Sequence, residues 1–452
     1  MVFSLDHLSN YLQGQRTIPS EAKYSVGLTF TNLSRFICEK FPQYAVTKDA
    51  NGYYFNKIDE TPLSYKRYSL PLEIKELNSL LTISLLAKPF VILTGASGTG
   101  KTQQAKALAK HFRKDEHGTN FAVVPVGADW TDNRATLGFI NYLTSEGESR
   151  YQSTPVVNLL LRANADVNTP YFLILDEMNL SHVERYFADF LSVMEQKDGS
   201  IQLHNEKGSL PNSNSEEMAV PQSIPYPRNL FVIGTVNIDE TTYMFSPKVL
   251  DRANVIEYKV DAEDLTSFLQ NPQELAEVPR AQEGEAEQFL ALARLVRGEG
   301  EPVAHYKAIS TETLEEVSAH VMQLFRLMQA RRFEFAYRTM NEIMRYLQVS
   351  RHLSEDEKSW DADGWKVSLD EQILQRVLPK LHGSVGRVGK LIAQLAHFAH
   401  DPDSRQYKEV LADVKGLGEG SPENPVAVYP RSLAKLQEMA ETLREEQFVS
   451  FI

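Results

Sequence analysis

The sequence predicts an α/β chain: a parallel five-stranded sheet between helices, with a small mixed domain before it and a helical region after it. Three observations carry this. From residue 90 to about 260, short apolar runs alternate with helical periodicity, the rhythm of a parallel sheet with crossovers. A glycine-rich turn joins the first of those runs to a helix. From residue 307 onward apolar residues recur at helical spacing.

Residues 1–75 read as a small N-terminal α/β domain with no assignable role. Tyr24–Phe30 partly alternates, and Asn51-Gly52 before Tyr53-Tyr54-Phe55 is a turn-then-strand signal. Its aromatics suit an ordinary small core better than a base-stacking surface. A short helix is expected at about 72–87.

The core is expected at 76–260, with strands at 90–94, 121–126, 171–175, 230–235 and 254–259. These runs lack strict alternation, as expected of strands covered by helices on both faces. The first leads into Gly95-Ala96-Ser97-Gly98-Thr99-Gly100-Lys101-Thr102, which fits G-x-x-x-x-G-K-[ST]. In that pattern backbone N–H groups wrap phosphates, the lysine reaches the β and γ phosphates, and the Thr102 hydroxyl ligates Mg2+. The helix after it presents its N-terminus to the anion.

The run Tyr171–Leu175 ends in Asp176 and Glu177, at the strand end where α/β sheets bind ligands. There Asp176 can hold the Mg2+ shell while Glu177 orients and polarises the attacking water. The run Leu230–Thr235 ends in Val236-Asn237, placing an amide where it could fix the water or the γ-phosphate; spacing alone leaves a turn-forming asparagine equally open. Between 196 and 228 an excursion rich in Gly, Asn, Ser and Pro reads as a protruding hairpin. Residues 261–306 form an acidic, solvated connector carrying a helix or two. The region 307–452 is expected to be helical, with clear spacing at 314–328, 333–347, 373–381, 388–398 and 433–448.

Composition limits the function classes. A length of 452 residues allows a substantial core without disulfides or structural metals, and the single cysteine, Cys38, reads as a small buried hydrophobe. A net charge of −13 argues against a surface that coats nucleic acid, though not against a local basic pore. With no leader-like start and no apolar run near 18 residues, a soluble cytoplasmic chain without membrane contact is expected.

Taken in order, G-A-S-G-T-G-K-T at Gly95–Thr102, L-I-L-D-E-M-N at Leu173–Asn179, V-I-G-T-V-N-I-D-E at Val232–Glu240 and L-D-R-A at Leu250–Ala253 resemble an AAA+ ATPase module. Within it they resemble the McrB-like restriction NTPases and their MoxR and dynein-related cousins. Asp129-Trp130-Thr131-Asp132, Leu137-Gly138 and Leu378–Gly383 share the likeness, which spans about 80–400. The resemblance implies that Asn237 senses the γ-phosphate and that Arg252 is an arginine finger reaching a neighbouring subunit's site. It also implies that Arg338, on a lid helix, is a second sensor, with the nucleotide between core and lid. With a finger acting in trans, the resemblance further implies a homo-oligomeric ring or partial ring, hexameric as in the family. GTP-using McrB subunits carry M-N-x-x-D at the first sensor, whereas Val236-Asn237-Ile238-Asp239-Glu240 stands here, which favours ATP over GTP. The leading expectation is an Mg2+-dependent ATPase motor for remodelling or translocation, as in a restriction or anti-phage system acting on DNA with a separate nuclease subunit. The alternative is a MoxR-like chaperone acting on a protein partner. A scaffold that holds nucleotide without turnover would need neither Glu177 nor Arg252.

Overall fold

The computed structural model describes residues 44–49, 52–57, 79–143, 148–214, 218–238, 243–260, 278–300, 306–404, 407–418 and 427–451, with a few single positions between. Cys38, Asp239, Glu240 and the 24–30 segment lie outside them. Two units separate, Met1–Arg67 and Tyr68–Ile452. In the first, β1 (Tyr44–Asp49) and β2 (Gly52–Lys57) pair antiparallel from Tyr44–Lys57 to Asp49–Gly52, matching the expected turn-then-strand.

The second unit is built on five parallel strands. They are β3 (Phe90–Gly95), β4 (Phe121–Pro125), β7 (Tyr171–Asp176), β10 (Leu230–Asn237) and β11 (Asn254–Glu257), in the order β11-β3-β10-β7-β4. Each runs parallel to its neighbours, so the five expected strands form the expected sheet. Successive side chains alternate between faces, and both faces are apolar. Phe90, Ile92, Leu173, Leu175 and Val232 pack on one side with α3 (Pro155–Ala165) and the short helices 183–186 and 188–193. Val91, Leu93, Phe172, Ile174, Phe231 and Ile233 pack on the other with α1 (Ser79–Ala87), α2 (Lys101–His111) and the C-terminal helices.

Two small antiparallel pairs decorate this core: β5 (Phe139–Asn141) with β6 (Arg150–Gln152), and β8 (Ser200–Gln202) with β9 (Ser223–Pro225). The second closes the expected 196–228 hairpin. The acidic connector differs from its sequence reading, because α4 (Glu285–Val296) is a core helix rather than a solvated one. Its Phe289 is buried against Phe112, Phe172 and Phe231, with centroids 4.8, 6.4 and 5.0 Å away. Buried Glu285 bonds His111 Nε2 at 2.7 Å, while His111 Nδ1 meets Pro279 O at 2.8 Å. Of the acids that suggested solvation, Glu285 and Glu287 sit in the first turn of α4, where they favour the helix dipole, and Asp261, Glu263 and Asp264 lie outside the described residues.

The C-terminal helices are α5 (Thr311–Gln329), α6 (Tyr337–Leu353), α7 (Trp365–Gln372), α8 (Val385–His400) and α9 (Pro430–Glu446). Helix α7 continues through a π-type stretch at Ile373–Val377 into a 3-10 turn at Leu378–Lys380, where a plain helix was expected. The expected helix over 433–448 stops at Glu446, because Gln447 turns left-handed. The chain then forms β13 (Phe448–Ser450), antiparallel to β12 (His382–Ser384). No helix among the described residues is long and apolar enough to cross a membrane.

Candidate functional site

Strand β3 ends at Gly95, whose φ of 146° and tight surroundings only glycine tolerates: a Cβ there would stand 2.3 Å from Tyr258 O. Gly98 and Gly100 also have positive φ, and a Cβ at either would meet nothing within 4 Å. The loop is therefore open in front and turned so that its backbone can approach an anion. Gly100 begins α2 with no side-chain cap, which leaves the first N–H groups of an 11-residue helix for a ligand. Lys101 is buried, and its Nζ donates to Gly95 O at 2.9 Å, Ala96 O at 2.6 Å and Thr99 Oγ1 at 3.3 Å. The ammonium is thus held inside the loop that it would share with phosphates.

Because β10 lies between β3 and β7, their carboxyl ends meet at one edge of the sheet. Asn237 pairs in register with Gly95, and Gly234 with Leu175. Asp176 Oδ1 accepts two hydroxyl hydrogen bonds, from Thr102 at 2.7 Å and from Thr235 at 2.7 Å. Thr235 Oγ1 in turn accepts the Glu177 N–H at 3.0 Å. Glu177 has φ 54° and ψ 49°, an uncommon left-handed conformation for a glutamate and one that costs about 1 kcal/mol or more. Asn237 Nδ2 donates to Glu177 Oε1 at 3.3 Å. Loop, Asp176, Glu177 and Asn237 therefore form one site, as their strand positions suggested.

A carboxylate and a hydroxyl sharing a hydrogen bond at a strand end are hard oxygen donors, so Asp176 and Thr102 fit Mg2+. Among the described residues no group of three or more His, Cys, Asp or Glu is placed to hold a metal. Two protein ligands supplemented by phosphate oxygens and water match the way Mg2+ is usually held.

The two arginines go elsewhere. Asn254 pairs with Val91, so Arg252 lies at the amino end of β3, roughly 15 Å along the strand from Gly95. Its Nε donates to Leu191 O at 2.7 Å, its Nη1 to Lys248 O at 2.9 Å, and Glu195 lies 3.6 Å from Nη2. Arg338, at the start of α6, donates to the same Glu195 and stands 3.9 Å from Asp251. Arg338, expected to sense the nucleotide from a lid helix, thus sits beside Arg252, at the end of the sheet opposite the phosphate loop. Helix α6 packs on α1, which feeds the amino end of β3, and this fixes where Arg338 can be.

Sequence reasoning gave no role to Thr235, which ties Asp176 to Glu177, or to Glu195. It also missed a buried ionic knot. Arg376 donates to the carbonyls of Leu250 at 3.0 Å, Asp251 at 3.0 Å and Ala253, and to Glu342, which also takes Lys88. The turn carrying Arg252 is therefore held by the C-terminal helices. No local pattern marks residues drawn from three distant segments.

Residues 90–253 match the family model described as AAA domain (dynein-related subfamily). Residues 288–448 match one described as a domain of unknown function (DUF8727), which takes in most of α4 together with the C-terminal helices. No curated protein matches the chain. Among solved structures, the chain is similar to a crystal structure of a candidate ATPase from Cytophaga hutchinsonii. Identity is 14%, over 66% of this chain and 82% of that one, with a TM-score of 0.39, a likeness that carries no argument. The parallel sheet and the phosphate-loop geometry at its edge are those of an α/β phosphate-loop fold of AAA type, and residues 90–253 are similar to AAA domains of the dynein-related subfamily.

Proposed function

We propose that this chain is an Mg2+-dependent ATPase that works in a ring of its own copies and uses hydrolysis to remodel or translocate a substrate. The observation behind this reading is the continuous hydrogen-bonded chain from Thr102 through Asp176, Thr235 and Glu177 to Asn237, beside the Lys101 loop. Lys101 and the loop N–H groups would bind the β and γ phosphates. Mg2+, held by Thr102 and Asp176, would neutralise charge on those phosphates. Glu177, positioned through its N–H by Thr235, would orient and deprotonate the attacking water, and Asn237 would align that water with the γ-phosphate. Arg252 and Arg338, at the opposite end of the sheet, would serve a neighbouring copy rather than their own site. The preference for ATP over GTP rests on Val236 and Glu240, which stand where the GTP-using relatives carry Met and Asp.

Glu177→Gln should lower hydrolysis by about 10²-fold or more while leaving ATP binding intact, since it removes the base and no phosphate ligand. Measured phosphate release and calorimetric ATP affinity test this; a wild-type protein that binds ATP without turnover would sink it. Two substrates remain in contention. The sequence resemblance favours DNA and a separate nuclease subunit, while the net charge of −13 favours a protein partner, as for a MoxR-like chaperone. DNA affinity of the assembled protein that falls steeply with salt would decide for the first, and its absence for the second.

A further inference from the structure

At the end of the sheet opposite the phosphate loop, the amino ends of β3 and β10, the base of the 196–228 hairpin and helix α6 line a cavity of about 520 Å3. Seven lysines and arginines line it, against three glutamates. Each glutamate is already engaged: Glu195 with Arg338 and Arg252, Glu342 with Lys88 and Arg376, and Glu299 with Arg228 at 3.4 Å. Two arginines are left without a carboxylate of their own. Arg297 lies 5.2 Å over the Phe231 ring and donates from Nη1 to Arg228 O at 3.2 Å, but its Nε and Nη2 are buried without a hydrogen-bond partner. Half-buried Arg345 has no ion pair or hydrogen bond among the described residues. Burial pulls Arg297 down to about 10; Glu299 offsets this in part, and the Arg345 guanidinium, close enough to repel, adds to the lowering. The hydroxyl of Tyr226, a third lining residue, is also buried without a partner.

Buried guanidinium N–H groups without a partner, a half-buried arginine without an ion pair and an unsatisfied hydroxyl are each costly, and one oxyanion would relieve all three. A single carboxylate would leave much of the positive surplus in place, whereas a phosphoryl group carries more charge and suits the guanidinium fork. We propose that this cavity is a phosphoryl-binding site in which Arg345 and Arg297 are the principal ligands and Tyr226 is an additional donor. The phosphoryl group has two possible sources: a free phosphorylated compound, or the nucleotide held by a neighbouring copy. The second rests on the ring reading above.

The test uses the full chain carrying Lys101→Ala, which disables the phosphate loop, titrated with pyrophosphate by calorimetry. Binding that Arg345→Ala weakens at least tenfold and Arg345→Lys partly restores supports a free phosphorylated ligand. If pyrophosphate does not bind, mixed assemblies decide. Arg345→Ala subunits that keep their own ATP affinity yet lower turnover at Arg345-intact neighbours at least tenfold support the neighbour's nucleotide. Thermal melts confirm that the half-buried Arg345 variants stay folded. No pyrophosphate binding together with unchanged turnover in mixed assemblies overturns the inference and leaves the ATPase reading standing. A wild-type protein without hydrolysis overturns the ATPase reading instead, and the pyrophosphate titration alone then decides this one.

Discussion

Thr235 shows how much one hydroxyl can organise. It donates to Asp176 and accepts from the Glu177 backbone, so the carboxylate on the metal side and the one on the water side are held by the same atom. Thr235→Val keeps the shape but removes both bonds, leaving the Glu177 N–H unpaired at a cost of about 1–3 kcal/mol. With Glu177 in a left-handed conformation that needs support, its carboxylate should shift. A misplacement of about 1 Å can cost up to ~10²-fold in rate. The expected result is therefore a lower kcat with ATP affinity unchanged, and an unaltered kcat would refute the positioning role. The sequence placed Asp176, Glu177 and Asn237 at strand ends and Lys101 in the loop after another, and a parallel sheet brings such ends to one edge. Thr235 was overlooked because a threonine inside an apolar strand is usually a β-former and nothing more.

Among the elements, α4 is the one whose burial the sequence misjudged. Its acidic start hid an apolar face that closes the sheet, and the ring of Phe289 fills the space between three other phenylalanines. Phe289→Ala should destabilise the fold by about 3–5 kcal/mol in urea unfolding, whereas a solvated connector would lose almost nothing. The link between α1 and α6 makes a different prediction. Lys88 is drawn down to about 8 because burial outweighs the attraction of Glu342, and nearby Arg376 adds to the lowering. The unfolded chain keeps that proton up to its ordinary value of 10.5. Between about pH 8 and 10.5 unfolding therefore takes up a proton, and this group's contribution to stability rises with pH. Compared with Lys88→Met, the wild type should gain on the order of 1–3 kcal/mol over that window, read from urea melts at its two ends.

In the molecule beyond its first 67 residues, both sheet faces are covered, and the C-terminal helices share one continuous core with the face that carries α1, α2 and α4. The core and the helical region are thus not two beads on a string. Arg376 reaches from one to the carbonyls that shape the Arg252 turn in the other, so a shift of the helices carries Arg252 with it. Glu195 holds both Arg252 and Arg338, and it stands at the base of the 196–228 hairpin. If those arginines serve a neighbouring site, subunits carrying Lys101→Ala and subunits carrying Arg252→Ala should each be inactive alone. Mixed together, they should regain a measurable fraction of wild-type hydrolysis, because the first still offers an arginine and the second a phosphate loop. No recovery in co-assembled protein would count against a shared site.

What was legible in the sequence is the part written in contiguous residues: the glycine loop, the apolar strands and the polar groups that end them. Their chemistry follows from local pattern, and the parallel order of strands carries those ends to one edge. Tertiary structure alone decided the rest. It put Arg338 beside Arg252 at the far end of the sheet, buried the helix that looked solvated, and gathered Lys88, Glu342 and Arg376 into one knot. These depend on which helix packs against which strand end, a global outcome of burying apolar faces that no window of sequence contains.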